Sequence, residues 1–284
     1  MTGRPAARRL LFRLEKSAQR WRFRKLAPPA FGWPILLGIS FPKSGTHLLD
    51  QILLGFSSVA PFSRRLHSFY AEYEGVSGRK RAVQDAELWL DSLRSRDVAS
   101  AHLFARPGAV GRVHGNEFVP YFLFRDPRDV AVSHAFYVTE MEPRHVHHAY
   151  YSSLSDFSER LRVSIEGLPG GAVEFPDIAQ RFAPYLGWLE EDAVLKIRYE
   201  DLVNARRETL GRIIGRFLVR VPLRESAPVL ARLEQAIQPD KSPTFRSGKT
   251  GEWRRYFTPE HKARFKEVSA DLLIRLGYET NNDW

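Results

Sequence analysis

Apolar runs too short to cross a membrane alternate along this chain with stretches whose apolar residues recur at helical spacing. Ile35-Leu36-Leu37-Gly38-Ile39 is such a run, Pro42 to Gly45 is a turn segment, and Leu48, Leu49, Ile52 and Leu53 follow at helical intervals. The pattern predicts a buried strand, a loop and a helix in immediate succession. Val119 to Arg125 reads as a second buried strand, and Asp126-Pro127 then opens a helix with a capping aspartate and a proline at the first position. Val98 to Leu103 is a short strand carrying His102 near its end, and Ala193 to Tyr199 is another strand followed at once by a helix through Leu210, Ile213, Ile214 and Phe217.

Further helices are expected over Ala82 to Leu93, with Val83, Leu88 and Leu93 buried, over Asp156 to Ile165, over Asp177 to Trp188 and over Glu225 to Ile237. Thr258-Pro259-Glu260 starts the last one, which Gly277 ends. Phe56 to Arg81 reads as loop and partial helix, Glu140 to Tyr151 as an exposed lid, and Gln238 to Tyr256 as a long polar loop. Strands alternating with helices predict a single α/β domain with a mainly parallel sheet and helices on both faces. No repeat and no linker divides residues 31–284.

Composition changes this picture at one place. The chain has 284 residues with 43% hydrophobic and 27% charged, which is ordinary for a globular domain. Its net charge of +10 is concentrated in residues 1–30, where nine Lys and Arg face the single acid Glu15. The body is nearly neutral, so the high pI does not point to nucleic acid. Within that arm Leu10, Leu14, Ala18 and Trp21 share a helical stripe ringed by arginines. Residues 4–26 therefore suit an anionic membrane surface, a solvated arm or a transit segment. The absence of cysteine excludes disulfides, thiolate metal sites and cysteine nucleophiles, and is compatible with a cytoplasmic enzyme, with peripheral attachment to a membrane as an option.

In an open α/β sheet, ligands bind beyond the carboxyl ends of the strands. A loop turning from a strand into a helix aims backbone N–H groups and the positive helix end at one point, and Lys43 adds a full charge there. That is a phosphate cradle. Its lysine stands two residues before Gly45, whereas the nucleotide-triphosphate loop places the lysine after its second glycine.

Pro42-Lys43-Ser44-Gly45-Thr46 resembles the 5′-phosphosulfate loop of the cytosolic-type sulfotransferases, which use 3′-phosphoadenosine-5′-phosphosulfate (PAPS) as donor. Three further stretches match that family in order. Arg125 and Ser133, eight residues apart, resemble its 3′-phosphate motif, and Tyr199-Glu200-Asp201 resembles the segment whose tyrosine lies near the adenine. Arg246-Ser247-Gly248-Lys249-Thr250-Gly251-Glu252-Trp253 resembles its Arg-x-Gly-x-x-Gly-x-Trp signature, whose arginine and neighbours close over the 3′-phosphate. The resemblance implies donor contacts from Lys43, Ser44, Gly45, Thr46, Arg125, Ser133, Tyr199, Arg246, Ser247 and Gly248. It implies His102 as the base that takes the acceptor proton, Lys43 as the group stabilising the leaving phosphate, and no metal.

Other histidines have plainer readings: His47 begins a helix, His67 and His134 are packed, and His261 lies in a surface first turn. His145, His147 and His148 cluster in the lid, without a carboxylate at metal-ligand spacing. The chain departs from the family at His47 and Leu48, where threonine and tryptophan are usual. It departs again at Ser100, where a lysine is common, and at Arg254 to Ala263, where the dimer segment is not reproduced. The oligomeric state is left open. The acceptor is expected to be a hydroxyl, on a small molecule or on a glycolipid or other amphiphile. Two other readings compete: a nucleotide-triphosphate kinase with an atypical loop, using Asp126 toward Mg²⁺, and a non-catalytic protein that binds anionic ligands or lipids.

Overall fold

The computed structural model describes residues 18, 32–171, 173–221, 227–242 and 246–284. The basic arm expected over residues 1–30 therefore lies outside the described residues, save Ala18. Seven strands are described: β1 (Ile35–Ser40), β2 (Tyr70–Ala71), β3 (Tyr73–Glu74), β4 (Arg79–Lys80), β5 (Val98–His102), β6 (Phe118–Phe124) and β7 (Leu195–Arg198). Five form one sheet in the order β2-β5-β1-β6-β7, and every pairing in it is parallel. The small strands β3 and β4 make a separate antiparallel pair inside the stretch read from sequence as loop and partial helix. A two-residue strand leaves too little alternation to be seen in a pattern of apolar positions.

Both faces of the sheet are covered, because successive residues of a strand point to opposite sides. Leu37, Ile39, Phe122 and Phe124 join one core. It is closed by α2 (Val83–Ser92), α3 (Pro127–Phe136), α4 (Phe157–Glu166) and α7 (Pro259–Ser269). Leu36, Tyr121, Leu123 and Ile197 join the other, closed by α1 (Thr46–Gly55), α5 (Arg206–Leu218) and α6 (Ala227–Ala236). No helix among the described residues is long and apolar enough to cross a membrane.

Two local expectations are corrected. In α2, Val83 and Leu88 are 47% and 67% exposed, while Ala86, Trp89 and Leu90 face the core. The indole N–H of Trp89 donates to the Ser68 carbonyl at 2.8 Å, which fixes the face by one large side chain. The expected helix over Asp177 to Trp188 is α-helical only over Ile178–Phe182 and continues as a 3₁₀ stretch over Ala183–Leu189, with Pro184 at its start.

Candidate active site

The ends of β1, β5, β6 and β7 open on one cavity of about 470 Å³. Every donor-site residue expected from sequence, except Ser44, lines it, together with His102. Ser44 is wholly buried beneath the loop, and its hydroxyl has no hydrogen-bond partner.

Residues 41–44 fold tightly, with the Ser44 amide donating to the Phe41 carbonyl. Lys43 sits at φ 67° and Gly45 at φ 96°. A non-glycine residue in that left-handed region costs about 1–3 kcal/mol and is characteristic of functional turns. Gly45 is obligatory for a second reason, since a Cβ there would meet the Tyr199 ring at 2.6 Å. Tyr199 thus packs on the loop, with the Arg125 guanidinium 4.5 Å over its ring centre. No side chain caps α1, so the Thr46 and His47 N–H groups at its start remain available to an anion, while the Leu48 amide donates to the Gly45 carbonyl.

Charge is gathered at this point. Burial first, with repulsion from Arg125 and Arg246 adding to it, brings the Lys43 ammonium down to about 7. Its Nζ lies 3.7 Å over the Tyr137 ring. Arg125 donates to the Lys249 carbonyl at 2.9 Å, and its Nε is buried without a partner. An orphaned guanidinium N–H on the cavity wall fits an anionic ligand that would supply the missing acceptor.

His102 is held from below. Register places Ile39 opposite Ala101, so the next residues, Ser40 and His102, end adjacent strands. The Nδ1–H of His102 donates to the Ser40 carbonyl at 2.8 Å, and the Ser40 hydroxyl lies 3.2 Å from the same nitrogen and 2.9 Å from Thr46 Oγ1. That assignment leaves Nε2 as the lone-pair nitrogen of a cavity-lining ring. Burial pushes His102 down to about 4; the Ser40 bond opposes this, and Lys43 and His47 add to it. Ser40 was not singled out from sequence, although its place at the end of the strand beside β5 was the available signal.

Asp129 was also missed as an organiser. From inside α3 it accepts the amides of Gly251 at 2.7 Å and Trp253 at 2.8 Å, and it lies 3.4 Å from Arg125. It thereby ties the Arg246 to Trp253 segment to α3. Ser247 donates to Glu252 at 2.6 Å, Arg246 pairs with the same carboxylate, and Gly248 and Gly251 turn at φ 65° and 69°. Arg128, by contrast, points away from the cavity: it pairs with Asp126 at 2.8 Å and Glu279 at 2.6 Å between Trp253 and Trp284.

The stretch read as an exposed lid is corrected. His145 and His147 are buried, and His145 joins His134, Tyr137, Phe175 and Arg181 along the cavity wall. Proline, arginine and histidine made this stretch look solvated, but its histidines pack edge-on and tilted among aromatic rings. His261 is likewise buried rather than superficial; its Nδ1 accepts the Thr258 amide at 3.1 Å. Among the described residues no group of three His, Cys, Asp or Glu is arranged to hold a metal.

An all-parallel sheet with an uncapped strand-loop-helix turn, a cation-lined cavity and a histidine in its wall suits a group-transfer enzyme acting on a phosphorylated donor. The chain belongs to the sulfotransferase family: residues 35–277 match the model described as the sulfotransferase domain. It is 22% identical over 261 residues to a 3-alpha-hydroxysteroid sulfotransferase of Cavia porcellus, covering 83% of this chain and 82% of the relative. Among solved structures, a mouse sulfotransferase complexed with PAP superposes with a TM-score of 0.55 at 19% identity, covering 88% of this chain and 86% of that one. Retinol dehydratase in complex with retinol and PAP gives 0.56 at 18% identity, covering 86% and 82%. At these identities the structural likeness is one of fold.

Proposed function

We propose that this enzyme transfers the sulfuryl group of PAPS to a hydroxyl of a small, largely apolar acceptor, with His102 as general base and Lys43 stabilising the leaving phosphate. The observation that carries the reading is the His102 tautomer, set by its bond to the Ser40 carbonyl in the cavity that Lys43 lines. In the transfer the acceptor O–H gives its proton to His102 Nε2 while its oxygen bonds to sulfur. The bond from sulfur to the bridging oxygen breaks, and that electron pair goes to the 5′-phosphate beside Lys43. The products are a sulfate ester and 3′-phosphoadenosine-5′-phosphate (PAP).

A pKa of about 4 makes free His102 a weak base. An anionic donor offsets the Lys43 charge that helps hold it there, so its basicity rises when the donor binds. Arg125, Ser133, Arg246, Ser247 and Gly248 would hold the 3′-phosphate, and Ser44, Gly45 and Thr46 the 5′-phosphate. Tyr199, packed on Gly45, would lie beside the adenine. The structural neighbours are complexes with PAP, which supports this donor. The kinase reading finds little support: Asp126 is bound to Arg128, and no acid is among the described residues lining the cavity. An amphiphilic acceptor is supported by the aromatic wall of Phe69, Phe104, Phe175 and Tyr185. A membrane role for residues 4–26 is supported by their sequence stripe alone, and unchanged liposome binding after deletion of residues 1–26 would exclude it.

Calorimetry with PAP against ATP·Mg²⁺ tests the donor, tighter binding of the triphosphate being the result that overturns it. His102→Ala is expected to lower turnover by about 10³-fold or more while PAP still binds. Retained turnover would remove His102 from the chemistry.

A further inference from the structure

Two cations lining the cavity, Arg181 and Arg206, are left over once the donor has been accommodated, and Arg206 is exposed to solvent. Arg181 lines the cavity from the helix Ile178–Phe182, next to Phe182, which stacks on Phe41 of the loop at 3.6 Å. Its Nη2 donates to the Ser164 carbonyl and its Nε to the Asp177 carbonyl at 3.4 Å, while the guanidinium lies 4.3 Å over the Phe175 ring. Among the described residues no carboxylate pairs with it, and Nη1 has no partner.

Neutral N–H donors surround this charge. The His147 amide donates to His145 Nδ1 at 3.2 Å, which puts the proton of neutral His145 on Nε2 in the same cavity wall. His134 stacks on Phe175 at 4.7 Å and lies 5.9 Å from His145. Burial lowers His145 to about 4 and His134 well below the ordinary range, Arg181 being the first charge to act on His134. Both rings are neutral above pH 6. The nearest acids are bound elsewhere: Glu142 with Arg144 at 2.9 Å, and Asp177, whose charge reaches Arg181 only through space, as the cap of Gln180 at 2.8 Å. Neither lines the cavity. A guanidinium held in an acid-free, aromatic pocket is a costly arrangement unless a ligand brings the counter-charge.

We propose that the acceptor carries a compact oxyanion besides its hydroxyl, and that Arg181 Nη1 and His145 Nε2–H receive this anion while the hydroxyl faces His102. The proposal rests on the sulfotransferase reading of the same cavity. It names the acceptor class as hydroxylated aromatic or alicyclic acids rather than neutral alcohols.

The test is calorimetry on the full chain saturated with PAP, whose own titration reports that the protein is folded and the donor site intact. The probes are 3-(4-hydroxyphenyl)propionate, its neutral methyl ester, and 2-(4-hydroxyphenyl)ethyl phosphate. Both anions are expected to bind at least about tenfold tighter than the ester, and the stronger of the two tells a carboxylate site from a phosphate-ester site. In Arg181→Met that advantage is expected to shrink to within about threefold. Equal affinity of acid and ester in the unaltered protein overturns the proposal and needs no variant. An advantage that survives in a folded Arg181→Met also overturns it. Failure to bind PAP would instead strike the sulfotransferase reading itself.

Discussion

Lys43 is the residue on which the donor end turns. With burial and two arginines holding it near 7, a large share of the free enzyme carries a neutral amine at pH 8. An anionic donor restores the charge, so PAP binding above pH 7 must take up a proton, and affinity must fall as pH rises. Calorimetry at pH 8 in two buffers of different ionisation enthalpy is expected to report an uptake approaching one proton. Uptake indistinguishable from zero would mean that Lys43 is already charged in the free enzyme. The type and place of Lys43 were legible in the sequence because a loop motif fixes them. Its strained φ of 67° and its contact with Tyr137 were not, since Tyr137 lies in a separate π-helical turn, Tyr137–Met141. His102 is similar. Strand position and resemblance pointed to it, but its tautomer depends on the parallel register that brings Ser40 alongside.

At the scale of elements, the proposed donor site is a strand-loop-helix and a helix joined by a third segment that Asp129 anchors. The two amides from Gly251 and Trp253 converge on its buried carboxylate. Asp129→Asn replaces one accepting oxygen by a donor, leaving one of those amides unmet. A loss of about 1–3 kcal/mol of stability in urea and a PAP dissociation constant raised about tenfold are expected. Unchanged PAP affinity in a folded Asp129→Asn would show that the segment closes without this tie. Sequence alone did not single out Asp129, because the amides it binds come from a segment more than 120 residues further along the chain. The alternation of apolar runs with helical periods was enough to read the parallel α/β sheet, because β1 and β6 are apolar through nearly their whole length. The strands β2, β3 and β4 escaped notice because two residues carry no period. Leu88 misled because one face of α2 is chosen by the bulk of Trp89, not by the count of apolar positions.

Over the whole molecule, the positive charge visible in the sequence and the positive charge that matters to the site are different populations. Most of the former's net excess lies in residues 1–30. The latter consists of Lys43, Arg125, Arg181, Arg206 and Arg246 converging on one cavity with no Asp or Glu among its described lining, a convergence that only the fold creates. A chamber of this kind is better at admitting anions than at letting them go. Both PAP and a sulfated product would leave it against unscreened attraction, so departure, not bond breaking, would set the pace. Rapid mixing is then expected to show a burst of sulfated product before the steady state, with the steady rate climbing as salt is added. A linear trace from the first turnover would mean that the chemical step is the slow one.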